Sequence, residues 1–183
     1  MSDEIVDPIA VGAAGWRVLT ARQRPWILGH YRDHAAYVEE IAETDKDAYL
    51  FVGVERPGDE WPSLTISQTF TPSVGGFSPG VQVIPETQRV FVGAGTRLLC
   101  YRGDEGPWAR QWQDTAESGF WGWRLHDDIV VMSAELELAA WTSSGNKLWT
   151  TFVEPPWSYS VNDSTIRLDV MGAVSEFPLR TGR

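Results

Sequence analysis

From Arg89 to Arg183 the apolar positions fall into one short pattern that recurs three times. Val90-Phe91-Val92 opens a run that continues through Leu99 to Gly106. Ile129-Val130-Val131 opens a second, through Leu138 to Gly145, and Leu168-Asp169-Val170 a third, through Phe177. One ungapped register of 39 residues aligns Val92, Val131 and Val170, then Leu99, Leu138 and Phe177, and pairs Gly106 with Gly145. A turn signal precedes each copy: Pro85-Glu86-Thr87-Gln88, His126-Asp127-Asp128 and Asn162-Asp163-Ser164. Asp and Asn suit these places because their side chains bond the local backbone and tolerate turn geometry. In Glu135-Leu136-Glu137-Leu138 the leucines take one face and the glutamates the other, the period of a half-buried strand. Ser143-Ser144-Gly145-Asn146 then leads into Lys147–Phe152, a glycine-containing hairpin link. Units this small cannot hide their own apolar side, so they must stack on one another.

Upstream the period changes. Ile27, Tyr31, His34, Val38 and Ile41 recur at helical spacing among polar residues, which predicts a helix from Pro25 to Glu43, ended by Thr44-Asp45-Lys46-Asp47. Tyr49–Val54 reads as a strand. Its Phe51-Val52-Gly53-Val54 echoes Phe91-Val92-Gly93-Ala94 at a spacing of 40, as a worn first copy. Leu64, Ile66 and Phe70 share the apolar face of a further strand, and a Gly/Pro-rich turn over Pro72–Gly80 leads into Val81–Ile84. Met1–Pro8 is a polar end. Trp16–Leu19 reads as a short strand.

Val130-Val131-Met132-Ser133 through Ala140-Trp141, followed by Ser144-Gly145-Asn146-Lys147-Leu148-Trp149, resembles the repeat of quinoprotein-type (PQQ-like) β-propellers. Those repeats close on Gly-x-x-x-Trp. Gly145 to Trp149 matches, Gly106 to Trp112 is two residues longer, and the third copy stops at Thr181-Gly182-Arg183. The resemblance covers the second half of the chain. It implies packed sheets around an axis, with the Trp16–Leu19 strand pairing with the C-terminal copy, and does not itself imply a quinone. The expected fold is mainly β: propeller-like repeated antiparallel hairpins or sheets, in an incomplete or minimal ring, with one N-terminal helix. One domain of 183 residues is expected, with a helical segment over 1–47 packing on a β-repeat region over 48–183.

Composition narrows the partners. The formal net charge is −10, with 25 acids against 15 bases. Phosphate binding needs a basic face, so nucleic acid is not the expected partner. A basic protein is compatible with that charge. The single cysteine, Cys100, excludes an internal disulfide. No apolar run approaches a membrane span, and no basic stretch with a long apolar run opens the chain. A cytoplasmic protein without a membrane partner is expected.

Candidate chemistry is sparse. His30 and His34 stand four apart on the predicted helix, a spacing that can hold a metal, but no third ligand is legible, and no metal or cofactor is expected. His126-Asp127-Asp128 invites a general-base reading, yet its place before a strand favours a turn. Ser133 and Ser144 lack a nucleophile-elbow pattern. Glu135 and Glu137, two apart on one strand face, would stand about 7 Å apart, near a glycosidase separation. A solvated strand face is the simpler reading. Cys100 sits among Leu98, Leu99 and Tyr101, as a packed strand residue.

Ten tryptophans are the unusual feature. The dense spots are Phe120-Trp121-Gly122-Trp123 and Glu154-Pro155-Pro156-Trp157-Ser158-Tyr159, both between copies, in what read as connecting loops. Large aromatic rings concentrate at binding surfaces, so Phe120, Trp121, Trp123, Glu154, Trp157 and Tyr159 form the candidate binding set. With no catalytic set in view, the expected function is a non-catalytic protein-interaction module, such as a bacterial neutralising or immunity-type partner. Small-molecule or carbohydrate binding is the second reading, and a carboxylate-dependent hydrolase the third.

Overall fold

Strands carry the chain almost throughout. A computed structural model describes residues 8–42, 47–72, 75, 77–104 and 106–183. Met1–Asp7, the predicted helix end at Glu43, most of the Thr44–Asp47 turn and part of the Pro72–Gly80 turn lie outside the described residues. The described residues form a mainly β fold of four open sheets with one α-helix. Contacts divide the chain into two units. The first is Met1–Thr71 with Arg102–Ala109, and the second is Pro72–Tyr101 with Arg110–Arg183.

The first unit holds β1 (Ile9–Ala13), β2 (Trp16–Ala21), α1 (Leu28–His34), β3 (Tyr37–Ile41), β4 (Ala48–Glu55) and β5 (Leu64–Phe70) in the sheet order β1-β2-β4-β5-β3. All pairings are antiparallel except β3 with β5. The helix spans seven residues rather than Pro25–Glu43, and the Ala35 N–H bonding the Tyr31 carbonyl closes it. Tyr37–Ile41 alternates half-buried and exposed positions, and goes into the sheet. Its period of 2 coincides with the helical spacing at too few positions to be told apart from it. The strand at Trp16 pairs with β1 and β4 and not with the C-terminal copy. Leu19, Ala21, Leu28, Tyr31 and Phe51 make the core beside α1. Trp108, from the Arg102–Ala109 segment, stands edge-on to Trp16 and donates its indole N–H to Ser63 Oγ at 3.1 Å.

The second unit is a succession of antiparallel sheets. β6 (Gly80–Ile84), β7 (Arg89–Ala94), β8 (Arg97–Arg102) and β9 (Ala109–Thr115) form one. β10 (Phe120–His126), β11 (Ile129–Ala134), β12 (Glu137–Thr142) and β13 (Lys147–Phe152) form the next, and β14 (Trp157–Asn162), β15 (Thr165–Val170) and β16 (Ala173–Pro178) the last. The repeat is real, but its register is not 39. β7 and β8 map onto β11 and β12 at a spacing of 40, and these onto β15 and β16 at 36, as the strand bounds give directly. Val92, Val131 and Val170 therefore occupy the fourth, third and last places of their strands. Phe91 faces the next sheet, as Val131 does, and Val92 does not.

The middle sheet is apolar on both sides. Val130, Met132, Ala139 and Trp141 pack with Phe91, Leu98 and Cys100 of the preceding sheet. Ile129, Val131, Leu138 and Ala140 pack with Ile166, Leu168 and Phe177 of the last. The last sheet turns Arg167 and Glu176 outward, paired at 3.7 Å and well exposed, so the succession ends on a polar face.

Tryptophans of the fourth strands staple each sheet to the next. The Trp112 indole N–H donates to the Gly145 carbonyl at 2.6 Å, and that of Trp149 to the Leu179 carbonyl at 2.7 Å. Both acceptors lie in the turn after the third strand of the following sheet. A Cβ on Gly182, at φ +72°, would meet Trp149 at 2.6 Å, and one on Gly145, at φ +87°, would meet Gln111 at 2.8 Å. The turn before the second strand adds a contact to the same place. The Thr87 hydroxyl donates to the Ser143 carbonyl, and Arg180 donates to Asp128. Burying one Val, Leu or Ile contributes about 1.5–3 kcal/mol, and one hydrogen bond about 1 kcal/mol. The apolar faces hold the sheets together, and the indoles fix how they are offset.

Trp149→Phe, which loses the donor together with the fused five-membered ring, should lower unfolding free energy by about 1 kcal/mol or more. Gly182→Ala should cost roughly 1–3 kcal/mol through its left-handed backbone, before any clash is counted. Urea denaturation of the full chain checks both. The hydrogen bond from Arg180, then its charge, holds the Asp128 carboxyl below the usual carboxylate range. Its contribution is therefore present above that range and lost as pH falls through it. Both side chains are 56% exposed, which limits the pair to about 1 kcal/mol or less. Asp128→Asn should differ from the parent by that small amount at neutral pH. The difference should shrink as pH falls through the usual carboxylate range and below it in the same measurement.

Candidate functional site

The two aromatic clusters read as loops are strands, the first of their sheets: β10 and β14. The structure separates the six candidate residues into three groups. Phe120 is buried in the core of the first two sheets, against Gly93, where a Cβ would meet its ring at 2.5 Å. Trp123 packs on the same core beside Phe91, Phe120 and Trp141. The one-residue irregularity between Phe120 and Gly122 sends Trp121 the other way.

Trp121 joins Trp157 and Tyr159 in a half-buried ladder between the first strands of successive sheets. Trp121 lies parallel to Trp157 at 5.1 Å, with Phe77 stacked at 4.7 Å, and Trp157 stacks at 6.4 Å on Tyr159. Both faces of Trp121 are therefore covered by other rings, and a planar ligand finds only ring edges. Arg124 stands over Tyr159 at 5.8 Å, and His126 meets it edge-on. Burial, and then the Arg124 charge, lowers the His126 pKa, while Asp127 pulls the other way. Burial raises that of the Tyr159 hydroxyl. Asp127 and Asp128 form the turn between β10 and β11, and Asp128 is engaged by Arg180, so no general-base dyad stands here. Ser144 Oγ lies 2.8 Å from Thr142 Oγ1, within its own turn.

Glu135 and Glu137 do not share a strand face. Glu135 lies in the turn between β11 and β12, and its carbonyl accepts the Trp157 indole N–H. Glu137 begins β12, buried, and its carboxylate accepts from the Glu117 N–H at 3.0 Å and the Thr150 hydroxyl at 2.6 Å. It fastens the end of one sheet to the next, which is a structural use of the charge. His30 and His34 pack against each other at a tilt, His30 meets Trp61 edge-on and His34 meets it at a tilt, and His34 Nδ1 lies 2.8 Å from the His30 carbonyl. Among the described residues no group of three His, Cys, Asp or Glu side chains could hold a metal. No helix among them is long and apolar enough to cross a membrane.

Glu154 stands apart from the ladder. It lines a cleft of about 340 Å³ between the end of β13 and the edge of β16, with Phe152, Val153, Ala173, Val174 and Arg183. Phe152 is 66% exposed, Met171 65% and Val174 47%. Residue-by-residue reading did not single these three out, because scattered exposed apolar residues carry no sequence signal. The first unit has a cavity of about 330 Å³ with a mostly apolar lining, among it Arg24, Leu28, Glu40, Ile41, Tyr49 and Ser67. There the Glu40 carboxylate is engaged by the Ser67 hydroxyl and by Arg32.

Burial pushes the Cys100 thiol up to about 12, against the opposing pull of Arg89. In the native chain at pH 8, iodoacetamide should label Cys100 only as fast as the protein unfolds, and should label it at once in denaturant. Mass spectrometry over a time course checks this, and fast native labelling would contradict the buried placement. A comparison with protein-family models finds none that matches this chain, and no curated protein matches it.

Proposed function

We propose that this chain is a non-catalytic protein-interaction module, and that its partner docks at the Phe152–Glu154–Val174 surface rather than on the aromatic ladder. The observation that carries this reading is the grouping of exposed Phe152 and Val174 around the cleft, with the Glu154 carboxylate at its rim. Met171 supports it. It occupies the first place of the β15–β16 turn at φ +54°, next to Gly172 at +88°. Turns with positive φ at both central residues favour Asn-Gly or Asp-Gly. A solvent-exposed Met gains neither burial nor backbone ease there, and strain of this kind gathers at functional places.

The likeness to quinoprotein-type propellers belongs to the same proposal. Its support is the succession of two four-stranded antiparallel sheets and a three-stranded one, with a tryptophan stapling each of the first two to the next. An interaction function fits the net charge of −10, which favours a basic partner and association that weakens with salt. The hydrolase reading loses its premise with the separation of Glu135 from Glu137. The carbohydrate reading loses its open ring face at Trp121.

Met171→Asn should raise stability by about 0.5–1 kcal/mol. Phe152→Ser with Val174→Thr should leave the far-UV spectrum and thermal midpoint nearly unchanged. Both variants should weaken partner binding, measured by titration at two salt concentrations. A partner retained by these variants and lost by Trp157→Ala would return the site to the aromatic ladder.

A further inference from the structure

We propose that the cavity of the first unit binds a small organic monoanion: a carboxylate, held by Arg24, on an apolar body that lies against Leu28 and the Tyr49 ring. The site is independent of the docking surface proposed above, and either can fail without the other.

The cavity exists because the helix is short. β3, β5 and β4 are neighbours in the sheet, with Glu40 and Phe51 opposite Ser67 and Tyr49 opposite Thr69. Residues directly opposite share a face, so these five side chains look out on one side. α1 covers part of that side. Its Leu28 and Tyr31 pack on Phe51, and Tyr49 flanks them. Seven residues make a helix of only about 10 Å, and beside Leu28 the face stays open over Glu40, Tyr49 and Ser67. The space of about 330 Å³ stands near the lower end of the range for small-molecule sites, roughly 300–1,000 Å³. Like them it has an apolar wall and a few polar groups. Tyr49 and Thr69 also line a hollow of about 440 Å³ with Ala48 and Phe70, which gives a longer body room to continue.

Charge selects the sign of the ligand. The Glu40 carboxylate is already engaged by Arg32 and by the Ser67 hydroxyl. Arg24 lines the cavity, exposed, and pairs with no carboxylate among the described residues. Tyr49 does not compensate it. Burial raises the Tyr49 pKa against the pull of Ser67, Arg24 and Arg32, so the phenol keeps its proton and stays neutral at pH 7. Its hydroxyl is shut off from water without a hydrogen-bond partner among the described residues, and the Ser67 hydroxyl that reaches towards it is donated to Glu40. Unmatched donors of this kind mark places where a missing group belongs. A carboxylate on Arg24 supplies a counter-charge for the guanidinium fork and an acceptor in the field of both arginines. One spare cation beside an apolar wall fits one negative charge, whereas a phosphate monoester would bring nearly two. The net charge of −10 repels anions from afar. At 0.1 M salt that field fades over about 10 Å, and the guanidinium in contact decides.

The probe is 4-phenylbutyrate, with 4-phenylbutanamide and 4-phenylbutylamine as controls that keep the body and change the head. Titrated into the full chain and followed by amide chemical shifts, the carboxylate should saturate with a dissociation constant of about 1 mM or below. It should move the Ile41, Tyr49 and Ser67 amides. The amide should bind about fivefold or more weakly, and the amine more weakly still. Arg24→Gln lies outside any strand or helix, and should abolish the preference for carboxylate over amide without moving the thermal midpoint. Equal affinity of the three heads would overturn the inference and leave apolar binding only. So would an amine that binds more tightly than the carboxylate, shifts confined to residues outside the cavity, or a preference that survives Arg24→Gln. Competition by inorganic phosphate at equal concentration would make this a phosphate site instead, and also overturns it. Absence of saturation up to about 10 mM overturns it too, as when the chain's own residues fill the space.

Discussion

The second unit depends on one constraint: its middle sheet, β10–β13, is apolar on both faces and cannot exist uncovered. Val130 and Met132 look one way along β11, and Ile129 and Val131 the other. Each set needs a neighbour to take it out of water, and the two flanking sheets supply one each. Everything else serves that burial. The indoles of Trp112 and Trp149, the Glu137 carboxylate and the Thr87 hydroxyl all cross from one sheet to its neighbour. They decide which offset the greasy surfaces adopt, since hydrophobic contact alone is indifferent to direction.

The same two-sided burial explains what could and could not be read from the residues. That β units recur was legible from turn signals and apolar runs. Their register was not, because β7 is buried at all six positions and β11 at five. A strand hidden on both sides loses the alternation that would reveal a one-residue slip. A register of 39 therefore satisfies the residue types while exchanging the faces. Glu135-Leu136 looked like strand for a related reason: alternation over four residues does not distinguish a strand from a turn followed by one. The helix fared similarly, with Tyr37–Ile41 reading as its last turns until its parallel pairing with β5 is seen.

Of the candidate surface, the tryptophan clusters were visible and their use was not. Sequence shows that rings are dense at 120–123 and 157–159. It does not show that Trp121 is covered on both sides or that Phe120 fills the space beside Gly93. Conversely Phe152 and Val174 are unremarkable letters, and gain meaning only where the fold brings them to one cleft. Glu154 is the one candidate that both readings share.

The outward pair Arg167–Glu176 has a further consequence for how this chain meets others. To lay another layer flat on that surface would strip hydration from a guanidinium and a carboxylate, at a cost of several kcal/mol per ion that their mutual attraction does not repay. The pair thereby keeps its part of the face for water rather than for an apolar layer.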